Sequence, residues 1–165
     1  MPRLRRPSPP MCSTASLRGF WSVLLTSSTA PMSTIHLDAS ADTWWRQAQC
    51  DLRAAEHLLQ GGFARHAAVL AHLAVEKALK AVYRHQHEAP PPASHDVAYL
   101  AGQIDWPEKN APHDRARMLD ALGDHGVVAL YTDQAFGPGV PNDATARARL
   151  ADAHMLIQAL APALA

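Results

Sequence analysis

ADTWWRQAQCDLRAAEHLLQGGFARHAAVLAHLAVEKALKAVYRHQH, residues 41–87, decides the fold. Trp45, Ala48, Leu52, Ala55 and Leu59 recur at spacings of three and four, the repeat that lines one side of an α-helix. Asp42 or Thr43 supplies the N-cap, because a short side-chain oxygen accepts from the unsatisfied N–H groups of a first helical turn. Gly61-Gly62 ends the helix. A second helix starts near Phe63 and runs to about His87, where Pro90-Pro91-Pro92 prevents continuation. Phe63, Ala67, Leu70, Ala74, Ala78 and Ala81 line one side of it. Val69 and Leu73 fall on the opposite, charged side and are expected to be exposed. This helix is therefore apolar nearly all round, which predicts a central place in a bundle or a face shared with a second subunit.

Downstream, Ser94 reads as the N-cap of a short helix from His95 to about Gln103. Pro107 and Pro112 bracket a loop. A third main helix spans roughly His113 to Leu122 and resumes, after Gly123 and Gly126, through Val127 to Tyr131. GPGVPND is a loop whose Asn142 or Asp143 caps the last helix. There Ala146, Leu150, Ala153, Ile157 and Leu160 form one stripe that ends near Pro162. Short links favour antiparallel neighbours, so the expected fold is all-α: an antiparallel up-and-down four-helix bundle with an extra short helix.

Residues 1–40 differ from this pattern and read as a disordered or artificial N-terminal extension, with Met32 as an alternative start; residues 41–165 form the helical domain. Arg3, Arg5 and Arg6 precede an apolar patch from Phe20 to Leu25, but that patch is short and no small-x-small cleavage site follows it. No later segment is long enough to cross a bilayer, so no membrane association is expected.

The 165 residues suffice for one domain with a real core. Fifteen basic and fifteen acidic residues cancel, so contact with nucleic acid requires a local basic patch. Two cysteines, Cys12 and Cys50, build neither a disulfide framework nor a zinc site and fit a reducing cytoplasm. Among the ten histidines, His85 and His87 stand two apart and face differently on a helix, so no metal site is expected. No glycine-rich phosphate loop, serine elbow or paired-carboxylate motif is present, and no cofactor is implied.

Three ordered segments carry a family likeness. They are the aromatic-led first helix with Asp51-Leu52 and Leu58-Leu59, the run Ala74-Val75-Glu76-Lys77-Ala78-Leu79-Lys80-Ala81, and Ser94-His95-Asp96-Val97 with Leu100. Over about 120 residues the chain resembles the HEPN domain family of nucleotide- and RNA-associated helical bundles. The resemblance implies a four- or five-helix bundle, often a homodimer. It also implies either a nucleotidyltransferase partner protein, as in toxin–antitoxin-like modules, or a metal-independent endoribonuclease.

Lys77, Lys80 and Arg84 share a face of the second helix and form a candidate strip for RNA or nucleotide phosphate. The plain alternative is a solvated face on which Glu76 pairs with Lys80 four residues on. Asp51 falls at the edge of the apolar face of the first helix and needs a partner, for which a basic residue on the next helix is the obvious choice. By resemblance His95 joins the ligand groove; otherwise Ser94 and Asp96 cap the short helix and His95 bonds locally.

The ribonuclease branch resembled here uses an arginine, four to six intervening residues and then a histidine, commonly with asparagine after the arginine and tyrosine two beyond the histidine. His154 meets the spacing with Arg149 and with Arg147. Arg149 points about 140° away from His154 on a regular helix, whereas Arg147 nearly coincides with it. Arg147 and His154 are therefore the alternative catalytic pair, without the flanking residues of the motif. Leu130-Tyr131-Thr132-Asp133 stands where another branch carries Arg-Tyr-Pro-Asp, which fits a non-nuclease member better. A purely structural helical dimer is the third reading.

Overall fold

The computed structural model describes residues 39–107, 111–123 and 141–165. Among these residues five α-helices follow one another: α1 (Ala41–Gln60), α2 (Ala64–His87), α3 (Val97–Ala101), α4 (Arg115–Gly123) and α5 (Asp143–Leu160), with a 3-10 turn at Ala161–Leu164. The described residues contain no strand, and none of their helices is long and apolar enough to cross a membrane. The expected resumption at Val127–Tyr131 and the segment Leu130–Asp133 lie outside the described residues.

Helix α1 starts earlier than its pattern indicated. Ser40, not Asp42 or Thr43, is the N-cap, and its side chain accepts from the Thr43 N–H at 3.2 Å. Asp42 instead pairs with Arg46 one turn on. Trp44, Ala48, Leu52, Ala55 and Leu59 are buried, while Trp45 is only half-buried against the core. Gly62, at φ 81°, takes the left-handed conformation in the short link to α2. That link makes α1 and α2 a hairpin.

Helix α2 packs against α1, α3, α4, α5 and the 3-10 turn, the central position expected of a helix apolar nearly all round. Its alanines permit close approach, and Leu79 at its centre is fully buried. Burying such a side chain contributes roughly 1.5–3 kcal/mol. Val69, expected to be exposed, is buried within the single chain, and Leu73 is half-buried. The helix stops at Glu88, a left-handed residue at φ 50° whose N–H donates to the Arg84 carbonyl. The three prolines then carry the chain back along the helix.

Helix α3 is shorter than expected and is capped by Asp96 rather than Ser94; the Asp96 carboxylate accepts from the Ala98 and Tyr99 N–H groups. Asn142 caps α5 through the Thr145 N–H. The predicted stripe of α5, from Ala146 to Leu160, is buried throughout. Helices α4 and α5 are tied by Arg117, whose two guanidinium nitrogens donate to the Asp152 carboxylate at 3.2 and 3.3 Å.

Candidate ligand-binding site

One turn of α2 separates His72 from Glu76 and another separates Glu76 from Lys80, so the three side chains share a face. All three are buried. Glu76 Oε1 accepts from Lys80 Nζ at 2.7 Å. A buried carboxylate without such a partner costs several kcal/mol, so the pair is a condition for burying either group. Above Lys80 lies the α1 indole of Trp44, 5.4 Å from Nζ to the ring centroid. The Trp44 Nε1–H is itself buried without an acceptor among the described residues.

The second oxygen of Glu76 faces the segment before α3. His95 Nδ1 lies 3.0 Å from Glu76 Oε2, and the His95 side chain is 72% exposed. A carboxylate only accepts, so Nδ1 carries the proton and Nε2 is the ring nitrogen left for solvent or ligand. His72 fills the inner side. Its Nδ1 donates to the Leu122 carbonyl of α4 at 3.0 Å, and its Nε2, without a hydrogen-bond partner among the described residues, stands 3.8 Å from Glu76 Oε2. Burial pushes the His72 pKa below its ordinary 6.5, against the upward pull of the Leu122 carbonyl and Glu76. The cluster thus joins α1, α2, α4 and the chain entering α3.

The remaining members of the expected basic strip are placed differently. Lys77 donates to Asp51 of α1 at 2.6 Å, the interhelical partner that the position of Asp51 demanded. Arg84 is half-buried and donates to the Glu88 carbonyl at 3.2 Å. Lys77 and Lys80 each face a carboxylate, so the strip is not the uncompensated patch of cations that a helical wheel suggests. Among the described residues Arg84 is the member of the strip without a carboxylate of its own, and Nε2 is the outward ring nitrogen of His95.

His154 Nε2 lies 2.7 Å from Glu56 Oε1, an α5–α1 contact. Arg147 faces Asp143 at 3.9 Å, also on α5. Two turns of helix, roughly 10 Å of rise, separate Arg147 from His154. Arg149 is buried. No group of three histidine, cysteine or acidic side chains among the described residues is placed to hold a metal ion.

The HEPN domain family matches residues 41–161, which includes the whole Glu76 cluster. The chain belongs to the HEPN family. Two solved structures resemble this HEPN chain. TT1696 from Thermus thermophilus shares 23% identity at a TM-score of 0.63, covering 75% of this chain and 98% of its own. ST0689, an archaeal HEPN homologue, shares 19% identity at a TM-score of 0.61, covering 77% of this chain and 99% of its own. At these identities the likeness carries the fold. No curated protein sequence matches the chain. HEPN domains are in general nucleotide- or RNA-related, and that level of description extends to this one.

Among the contacts that escaped the sequence reading are Glu76 with His95, Trp44 with Lys80, and Glu56 with His154. Glu76 and His95 lay in two of the three HEPN-like segments, so their joint occurrence was the available signal.

Proposed function

We propose that this HEPN domain is a non-catalytic subunit that binds RNA or nucleotide and pairs with a separately encoded nucleotidyltransferase, in a cytoplasmic module of the toxin–antitoxin kind. The observation that carries the reading is the placement of the two candidate functional sets. His95 projects outward from a buried anchor at Glu76, and Arg84 stands about two turns further along α2 (roughly 12 Å of rise), so the two offer separate points of contact to a phosphate-bearing chain. Arg147 and His154 instead each face a carboxylate of their own, a poor arrangement for stabilising and protonating one phosphoester. The partner and the module are proposals whose support is the likeness to the HEPN family. A homodimer through the α1 or α2 side is part of the same reading.

The test is binding and cleavage of short structured and unstructured RNA in chelator. The full chain should bind weakly, more weakly as salt rises, and leave the RNA intact. Arg84→Ala should reduce binding, and His154→Ala should leave it unchanged. Cleavage by the wild type that His154→Ala abolishes would replace this reading with the endoribonuclease built on Arg147 and His154. A chain that neither binds nor cleaves would leave a structural helical dimer. Co-purification with the product of a neighbouring nucleotidyltransferase gene tests the pairing.

A further inference from the structure

The hydrogen bond that holds His95 also decides what its free nitrogen can do. Glu76 Oε2 is an acceptor at 3.0 Å from Nδ1, so the ring keeps a proton on Nδ1 in either charge state. Neutral His95 therefore presents a bare lone pair at Nε2, and charged His95 presents an N–H donor there. A phosphodiester oxygen accepts hydrogen bonds and cannot donate. It is repelled by the first form and bound by the second.

We propose that His95, locked in this tautomer by Glu76, contacts a phosphodiester of the ligand only as imidazolium, so that binding takes up one proton. The proposal rests on the RNA- or nucleotide-binding reading above and specifies how that site recognises its ligand. The other groups around His95 do not supply the same linkage. Lys80 holds the opposite oxygen of Glu76 and is buried beneath Trp44. Arg84, one turn further along α2, is charged throughout the histidine range and contributes attraction without a proton. Asp96 accepts from two N–H groups of α3. From α4 the cluster receives the Leu122 carbonyl, and from α1 Asp51 is engaged by Lys77. His72 shares the Glu76 oxygen but lies inside the domain, where burial favours its neutral form.

A dinucleotide with one internal phosphodiester and no terminal phosphate is the suitable probe, because it does not itself titrate between pH 6 and 8. Calorimetry of the full chain in two buffers of different ionisation enthalpy counts the protons taken up. Affinity should fall as pH rises across the histidine range, at a limiting slope of about tenfold per pH unit, with up to one proton bound per ligand. His95→Gln, at an exposed position, puts an amide donor there and should bind without proton uptake. Glu76→Gln combined with Lys80→Met removes both buried charges together. An amide at position 76 can donate to Nδ1, freeing neutral His95 to carry its proton on Nε2, so binding should persist at pH 8 with the linkage lost. Proton uptake that survives His95→Gln, or binding by the wild type without any, overturns this inference and leaves the binding reading standing. Failure of the wild type to bind the dinucleotide at pH 6 overturns both.

Discussion

Replacing Glu76 by Gln should be among the most damaging conservative changes available in this domain. The side chains of Glu76 and Lys80 are 5% and 8% exposed, so neither charge reaches bulk solvent. Removing one member of a buried pair costs about 3–5 kcal/mol, because the survivor stays buried uncompensated. After Glu76→Gln the ammonium retains the Trp44 face at 5.4 Å, a contact of about 0.5–2 kcal/mol that the wild type already has. After Lys80→Met the carboxylate keeps its bond to His95 and has His72 nearby, so that variant should lose less, roughly 2–3 kcal/mol against the same range. The double variant leaves no lone charge and should be more stable than the sum of the two losses by about 2 kcal/mol. Urea unfolding followed by circular dichroism gives all three values and the coupling. Strictly additive losses, or single variants within about 0.5 kcal/mol of wild type, would refute the claim that this pair is buried and mutually dependent.

Three other outcomes follow from the same structure. The pKa of His72 is depressed in the fold, so between its folded value and 6.5 the unfolded chain binds more protons; stability should fall as pH drops below 6.5, and His72→Gln should flatten that part of the curve relative to wild type. An unchanged curve would show that His72 is not buried as a neutral ring. Leu73→Glu should shift the mass measured by light scattering from dimer to monomer, and a wild type that is monomeric at high micromolar concentration would remove the proposed homodimer. A shortened chain beginning at Met32 should unfold at the temperature of the full chain if the proposed domain boundary near residue 40 is right; a large loss would place the N-terminal residues in the fold.

The helices were legible because their signals are local. The stripe of α5 and most of that of α1 follow from spacing, and Asp51 announced an interhelical partner because a carboxylate beside an apolar face needs one. Caps were less legible. Ser40, Asp42 and Thr43 are all good N-cap residues within one turn, as are Ser94 and Asp96, and propensity alone does not choose among them. The burial of Lys80 was invisible for another reason. A helical wheel places Lys80 beside Lys77 and Arg84, but the indole that covers it comes from α1, 36 positions earlier in the chain. His95 and Glu76 are 19 residues apart across a proline-rich reversal, where no periodicity operates. The same applies to Val69, whose burial is set by tertiary packing rather than by the charged side of its own helix.

The stop of α2 at Glu88 has a consequence for how firmly His95 is held. Seven residues separate His87 from His95, and three of them are prolines with fixed φ. So short and stiff a tether keeps the imidazole at a high effective concentration beside the carboxylate, and little chain entropy remains to be lost when they meet. At the far end of α3, His87 Nε2 lies 3.0 Å from the Gln103 carbonyl and Gln86 exchanges two hydrogen bonds with the Asp105 backbone, so the segment is pinned at both ends. The ring therefore stays in register with Glu76 through the geometry of its chain, and a weak bond suffices to orient it.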